Sequence, residues 1–482
     1  MTEDKRRVRT LVVGAGVAGR MVAREMAAHP EHGYDLIGFL DDSAEKLGRE
    51  LEGVRVLGTV GDLVSVADEH DAQQIIIAIP SAAGTTIRQV VRLCEEAGKP
   101  FKIVPGVWEI LLGDVTINQI RTLELDDLLG RETVSLDPEA MMEHIAGRSV
   151  LVTGAGGSIG SELVRQVASY GPSKVLLMGR GENSIYSIDL EMQQTCPGIE
   201  REPIIGSVTD ESAVEAAFRT HRPEIVLHAA AHKHVHLMEY YPEEAIKNNV
   251  TGTRTLVDAA VRYGTQRLVM LSTDKAVRPH GVMGASKRLA ELILIDRARR
   301  GCETKLIAVR FGNVLGSRGS VVPMFRQQIE HGGPVTVTHP DVTRYFMTIR
   351  EAAMLVLEAA FLGRGGEIFV LDMGDPIRIS ELAEHLIRLS GLEPGSDIEV
   401  VYSGLRPGEK LHEELWSSSE KLSPTKFPKI MALEPESIPA AEQILGTVES
   451  LESLARHGDR RAIIGELRAL FPDIKPKDND DI

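Results

Sequence analysis

Thr273, Asp274 and Lys275 set a hydroxyl, a carboxyl and an amine on consecutive residues at the end of the apolar run Arg267–Ser272. A carboxyl and an amine held together can divide acid and base work, provided that burial and neighbours push their proton affinities apart. Further along, Met283-Gly284-Ala285-Ser286-Lys287 opens a helical stretch, and Met283 and Lys287, one helical turn apart, face the same way. The plain alternative for Thr273–Lys275 is a strand end whose polar groups cap the next helix. For Met283 the plain alternative, a packing side chain that lines the pocket, is the preferred one, because a thioether moves no protons.

Polar groups at a strand end matter because open α/β sheets bind ligands in the crevice outside the carboxyl ends of their strands. The chain opens such a sheet twice. Residues 8–13 (VRTLVV) read as a buried strand, followed by Gly14-Ala15-Gly16-Val17-Ala18-Gly19 and a helical stretch to about Ala28. Residues 148–153 (RSVLVT) read the same way, followed by Gly154-Ala155-Gly156-Gly157-Ser158-Ile159-Gly160 and a helix to about Tyr170. Strand, glycine-rich turn, helix is the order that a dinucleotide-binding unit requires. Further strands are expected at Asp35–Leu40, Gly53–Leu57 and Gln74–Pro80, then at Lys174–Met178, Glu202–Gly206, Ile225–Ala229, Arg267–Ser272, Lys305–Arg310 and Glu367–Leu371, with helical segments between.

The expected fold class is α/β: two Rossmann-like doubly wound parallel-sheet domains, a small α/β substrate-binding portion and a helical C-terminal tail. Residues 1–140 form the first nucleotide-binding domain, 141–435 the catalytic domain and 436–482 the helical extension, with the first boundary falling within Asp126–Gly147. The chain reads as helical and charged after about Met431, with a disordered end at Lys475–Ile482.

With 482 residues, 43% of them hydrophobic, the chain can fill two or three cored domains. A net charge of −16 disfavours nucleic acid and anionic membrane as main partners, since neither would meet a basic surface; an anionic substrate needs only a few local arginines. Cys94, Cys196 and Cys302 stand far apart, with neither a disulfide framework nor metal-ligand spacing, which points to a reducing cytoplasm and no metal. The sequence shows no signal peptide and no apolar run long enough to cross a bilayer.

In each glycine-rich turn one glycine allows the tight bend, one lets the backbone approach a pyrophosphate, and one lets helix and strand pack closely, while the helix N-terminus supplies N–H donors. Such a turn can also be a mere connector. The second turn, Gly154-x-x-Gly157-Ser158-Ile159-Gly160, has the spacing of short-chain dehydrogenases. In the first domain Asp41 and Asp42 end the second strand, where a ribose-binding acid would sit and complete an NAD fingerprint. No catalytic group follows there at a plausible position, so a structural or regulatory role is expected. In the second domain Gly179 occupies that place and Arg180 follows. With no acid for a ribose 2′-hydroxyl and an Arg for a 2′-phosphate, the pattern leans to NADP over NAD, unless Arg180 is only a solvated loop residue.

The chain resembles an extended short-chain dehydrogenase/reductase and, more narrowly, the UDP-N-acetylglucosamine 4,6-dehydratases of the CapD/WbpM polysaccharide-biosynthesis type. The resemblance rests on TGAGGSIGSEL (153–163), HAAAHKHVHLME (228–239), NNVTGT (248–253), STDKAVRPHGVMGASKR (272–288), RFGNVLGSRGSVVP (310–323), TRYFMTI (343–349) and LRPGEKLHEEL (405–415). These span nearly all of the second domain. The first domain resembles, much less specifically, the nucleotide-binding domain that precedes the catalytic one in such enzymes. Members often carry transmembrane helices ahead of it, and the basic Lys5–Arg9 would suit the cytoplasmic flank of such an anchor. The chain is therefore expected to be cytoplasmic, as a soluble version or a shortened one.

The resemblance implies an internal redox dehydration: oxidation of the sugar at C-4, loss of the C-5 proton, departure of the C-6 hydroxyl as water, and reduction at C-6, so that a bound nicotinamide, NADP or NAD, is regenerated. Asp274 would be the acid at C-6, its pKa raised by burial, and Lys275 the base at C-5, its pKa lowered. Thr273 would hydrogen-bond the C-4 oxygen and Lys287 the nicotinamide ribose. Short-chain dehydrogenases usually carry Tyr where Met283 stands, which leaves the base for the C-4 hydroxyl open. Asn313, Arg318 and Arg406 are implied to meet the substrate's diphosphate and uridine end, where an Arg fork pairs well with phosphate; ordinary surface ion pairing is the alternative for the two arginines. His228, His232, His234 and His236 read as hydrogen bonders around the cofactor, because no Cys or carboxylate completes a metal site. The implied partners are a UDP-sugar and further copies of the chain. Two other functions stay open: a nucleotide-sugar epimerase, which at C-4 would normally need Tyr at 283, and a non-catalytic dinucleotide binder, which the complete Thr-Asp-Lys set disfavours.

Overall fold

Short apolar runs bounded by glycine become strands, and in this chain they build two parallel sheets. The computed structural model describes residues 7–79, 82, 84–104, 137–435 and 438–475. Half of the expected boundary region Asp126–Gly147, the tail beyond Lys475, and Lys5 and Arg6 of the basic start lie outside the described residues. The chain divides into two compact units, Met1–Thr133 and Val134–Ile482. Among the described residues no helix is long and apolar enough to cross a membrane.

The first unit holds strands β1 (Val8–Val13), β2 (Tyr34–Leu40), β3 (Glu50–Leu51), β4 (Val54–Gly58), β5 (Gln74–Ile77) and β6 (Phe101–Ile103) in the order β3-β4-β2-β1-β5-β6. All neighbours are parallel except β3 and β4. Leu11, Val12, Val13 and Ile75–Ile77 are fully buried, as central strands covered on both faces must be.

The second unit is built on β7 (Ser149–Thr153), β8 (Lys174–Gly179), β9 (Glu200–Ile205), β10 (Ile225–His228), β11 (Arg267–Leu271) and β12 (Lys305–Arg310). Short strands β13 (Asn313–Val314), β14 (Val335–Val337), β15 (Thr343–Arg344) and β16 (Phe346–Met347) follow, then β17 (Ile368–Leu371), β18 (Ile377–Arg378), β19 (Val400–Tyr402), β20 (Glu420–Pro424) and β21 (Ile430–Pro435). The large sheet runs β20-β21-β17-β12-β11-β10-β7-β8-β9, parallel from β17 to β9. Strand order reverses between β7 and β10, which opens a crevice at their carboxyl ends. The pairs β13·β16, β14·β19 and β15·β18 make the small α/β portion.

The strands expected from the sequence are present, with small shifts at their ends. The stretch from Met431, expected to be helical, begins instead as β21, and β20 precedes it unannounced. Ile430 and Leu433 bury their side chains while β21 pairs antiparallel with β17; a helix there would leave the outer edge of β17 unpaired. Helices resume at Ala441–His457 and Arg460–Leu470.

The helix Val282–Arg299 is buried on nearly every side because it lies between two layers. Ala290, Leu294 and Ile295 join the sheet core. Val282, Met283, Leu289 and Leu292 join a second apolar cluster with Ile444, Val448, Leu451, Ile463 and Leu467 of the C-terminal helices. A charge network pins the helix from inside. Glu291, fully buried, accepts from Arg310 Nε and Nη2 (both 2.8 Å), from Arg288 Nη1 (2.8 Å) and from Ser272 Oγ (2.6 Å). Arg310 in turn reaches Glu420 on β20 at 3.2 Å.

Burial alone would push the Glu291 carboxyl up, but Arg310 and Arg288, with the Ser272 hydroxyl, hold it down at about 2. A carboxylate held below its ordinary value of 4.5 contributes stability that is present above that pH and fades as pH falls toward 2. Glu291→Gln, which takes from a buried guanidinium the closer of its two carboxylates, is expected to cost about 3–5 kcal/mol at neutral pH. Thermal unfolding across pH checks this: the gap between variant and wild type should close toward pH 2, and equal melting temperatures at pH 7 would contradict it.

Candidate active site

The glycine-rich turn after β7 is shaped by close backbone approaches. Gly154 has φ +67°, and a Cβ there would lie 2.8 Å from Ala230 N; a Cβ at Gly160 would lie 2.1 Å from Gly154 O. The helix Ser158–Ser169 starts at Gly157 with no side-chain cap, which leaves its first N–H groups open to an anionic ligand. Arg318 lies on this turn: its backbone N–H donates to Ser158 Oγ (3.1 Å) and its guanidinium to Gly156 O. Arg180 follows β8 and is exposed.

Behind the turn, His228 ends β10 fully buried between Thr153 Oγ1 (2.8 Å) and Thr253 Oγ1 (3.1 Å). Burial, helped by Lys287, pushes its pKa down to about 3, so it is a neutral hydrogen bonder. Lys287 is itself buried, and burial lowers its pKa to about 8 against the pull of Glu291. Asn249 ties these parts together: its carbonyl accepts from His232 N (2.8 Å), and its amide donates to His232 O and Ser286 Oγ (both 3.0 Å). Among the described residues no group of three or more His, Cys, Asp or Glu is placed to hold a metal ion.

The Thr273–Lys275 turn follows β11. Its backbone stays paired with the end of β12, Ser272 N to Val309 O at 2.7 Å and Asp274 N to Phe311 O at 3.1 Å. Asp274 is 0% exposed. Its Oδ1 accepts from Thr273 Oγ1 (2.8 Å) and Lys275 Nζ (3.0 Å), and its buried Oδ2 has no hydrogen-bond partner among the described residues. Lys275 Nζ also donates to Asn313 Oδ1 (3.0 Å) and lies 3.9 Å from Glu413 Oε1. The helix Val282–Arg299 presses against this turn where Gly284 stands: a Cβ there would fall 2.1 Å from Lys275 O. Met283, 2% exposed, packs in the apolar cluster of the C-terminal helices.

Thr273, Asp274 and Lys275 are thus together, with Met283 and Lys287 on the helix behind them. Asn313, Arg318 and Arg406 stand on different segments with different partners. Asn313 joins the Lys275 amine, because β13 continues β12 directly past the Thr273–Lys275 turn. Arg318 lies on the glycine-rich turn, and Arg406 stands exposed on the loop after β19. Glu413 was not singled out by the sequence. Its one signal, a pair of glutamates in LRPGEKLHEEL, reads as a solvated loop until burial is known. In the first unit, Asp41 spends its carboxylate within the fold: Oδ2 accepts from Ala15 N (2.8 Å) and Lys46 Nζ (2.9 Å), and Oδ1 from Ser43 N (3.0 Å). Burial would raise its pKa, but Lys46 and these N–H groups hold it below the usual carboxylate range.

Residues 150–435 match the family described as "Polysaccharide biosynthesis protein", and residues 2–105 the one described as "CoA-binding domain". The chain is 46% identical over 413 residues to the capsular polysaccharide biosynthesis protein CapD of Staphylococcus aureus, covering 85% of this chain and 69% of that protein. It is 37% identical over 279 residues to a UDP-glucose 4-epimerase of Rickettsia canadensis (57% of this chain, 79% of that one). It is 32% identical over 293 residues to an inverting UDP-N-acetylglucosamine 4,6-dehydratase of Campylobacter jejuni (60% and 83%). Among solved structures it is similar to Pen from Bacillus thuringiensis, with 31% identity, a TM-score of 0.55, and coverage of 62% of this chain and 92% of that one.

Two helix glycines separate close packing from helix propensity. Gly284→Ala is expected to destabilise by about 1–3 kcal/mol, because the neighbour it meets is backbone. Gly446→Ala, at a position with nothing within 4 Å of the new Cβ, should stabilise by about 0.5–1 kcal/mol. Denaturant midpoints of the two variants against wild type check the contrast.

Proposed function

The chain belongs to the polysaccharide biosynthesis protein family, whose nucleotide-sugar dehydratase and epimerase relatives frame its chemistry, and from that premise we propose that it is a 4,6-dehydratase acting on UDP-N-acetylglucosamine. The product would be a UDP-4-keto-6-deoxy-N-acetylhexosamine. The observation that carries this reading is the buried Asp274 carboxyl held 3.0 Å from the Lys275 amine at the carboxyl edge of the large sheet, with one carboxyl oxygen unpartnered.

The residues present suit a nicotinamide dinucleotide. The uncapped helix start at Gly157 and the glycine-rich turn at Gly154–Gly157 would receive its pyrophosphate, and Lys287 its nicotinamide ribose. When bound, the cofactor would supply reversible hydride chemistry at C-4 and C-6. Arg180, with no acid at the end of β8, favours NADP over NAD.

The protein's own residues then handle protons and position. Lys275 takes the C-5 proton, made acidic by the neighbouring ketone. Asp274 gives its proton to the C-6 hydroxyl, which leaves as water. The proton that the C-4 hydroxyl releases on oxidation passes through Thr273 Oγ1 to Asp274, 2.8 Å away, and once C-6 is reduced Lys275 gives its proton back to C-5, so that both groups end as they began. Thr273 binds the C-4 oxygen and Asn313 steadies the amine. Arg318 and Arg406 serve the phosphates and the uridine end. A C-4 epimerase is the second reading, favoured by the epimerase relative. Against it stands Met283, which offers no proton shuttle where one is needed.

Incubation of the wild type with UDP-N-acetylglucosamine, read by mass spectrometry, should show loss of one water with no consumption of cofactor; unchanged mass would overturn the dehydratase reading. Asp274→Asn should reduce water loss by about 10²–10⁴-fold while dinucleotide binding, followed by fluorescence, is kept. Arg180→Ala should weaken NADP binding by about tenfold, the worth of one charge-assisted bond, and leave NAD binding nearly unchanged.

A further inference from the structure

Glu413 lies between β19 and β20 on a segment fastened on either side of it. Lys410 Nζ donates to Val277 O (2.8 Å), Thr343 N donates to Leu411 O (3.1 Å), Thr343 Oγ1 and His412 Nδ1 share a hydrogen bond (2.9 Å), and Glu414 pairs with Arg278. These anchors turn the Glu413 side chain inward, where it is 3% exposed. Its Oε2 is buried with no hydrogen-bond partner among the described residues, and its Oε1 lies 3.9 Å from Lys275 Nζ.

The charged groups around it are Asp274 and Lys275 from the turn after β11, Arg344 from β15, and Lys410 from its own segment. Arg344 turns to Glu409 (2.7 Å) and Lys410 to a carbonyl, so Lys275 is the cation that Glu413 meets. One amine therefore stands between two buried carboxyls, each with an oxygen unpartnered. Burial pushes the Glu413 carboxyl above its ordinary value, with Asp274 adding to the rise and Lys275, Arg344 and Lys410 opposing it.

We propose that Glu413 is a third ionisable member of the acid–base set, a positioning residue that holds the Lys275 amine against Asp274 and sets the pH range in which that amine accepts a proton. The proposal rests on the dehydratase reading for its consequence, though not for its test. An ionised Glu413 favours the charged amine, so removing that charge lowers the pH at which Lys275 becomes neutral.

The experiment is reductive methylation of Lys275 in the full chain as a function of pH, read by peptide mass spectrometry, in wild type, Glu413→Gln and Glu413→Asp. The labelling midpoint should fall by about one pH unit in Glu413→Gln and stay near the wild-type value in Glu413→Asp. The alkaline limb of the kcat profile for water loss should move the same way. Glu413→Met removes the charge at similar volume and makes the same comparison if the Gln variant fails to fold. An unmoved midpoint on loss of charge overturns the proposal, as does an equal shift in the Asp variant, which would mark lost packing. A wild type that releases no water sinks the dehydratase reading alone, since the labelling midpoints need no turnover.

Discussion

The buried Glu291 carboxylate is the point on which the second unit hangs. It is surrounded by Arg310 at the end of β12, Arg288 on its own helix and Ser272 just past β11, and Arg310 extends the contact to Glu420 on β20. Ionised groups taken out of water are costly, and the cost is offset only when every partner keeps its place. The network therefore rewards a single arrangement of two strand ends, a helix and an edge strand. Those elements carry Lys275, Asn313 and Lys287.

From that anchor the site assembles by adjacency along one sheet edge. The glycine-rich turn follows β7, His228 closes β10, the Thr273–Lys275 turn follows β11, and Asn313 lies just beyond β12. A parallel sheet places all these ends on one side, so side chains remote in sequence share a crevice. The helix that backs the crevice can come close only because Gly284 has no side chain to meet the Lys275 carbonyl. The Thr273–Lys275 turn is thus held by backbone contacts as well as by its own side-chain hydrogen bonds.

Much of this was legible in the chain. Central parallel strands must be apolar throughout, so Val150–Val152, Leu268–Leu271 and Leu306–Val309 announce themselves. The Thr273–Lys275 turn was legible because polar residues directly after such a run stand at the binding edge. What escaped was whatever depends on distant pairing. Strands β20 and β21 mix charges with apolar residues, since one lies at the rim of the sheet, and Met431 was read as helical. The partnership of Glu291 and Arg310 joins a helix to a strand and leaves no local pattern. Glu413 looks solvated in sequence and is buried in the fold. Asp41 has the position of a ribose-binding acid, yet its oxygens are engaged with Ala15, Ser43 and Lys46.

The β20–β21 ribbon at the rim of the large sheet has a consequence for how the protein opens. Peripheral ribbons ordinarily fray first, exchanging their amides at little free-energy cost. Here Glu420 on the outer strand is a counter-charge for Arg310, a guanidinium with no access to water. Peeling the rim away would take from that guanidinium one of its two carboxylate partners and leave it to Glu291 alone. The ribbon is therefore bound into the same cooperative unit as the crevice, and rim and crevice should hold, or melt, as one.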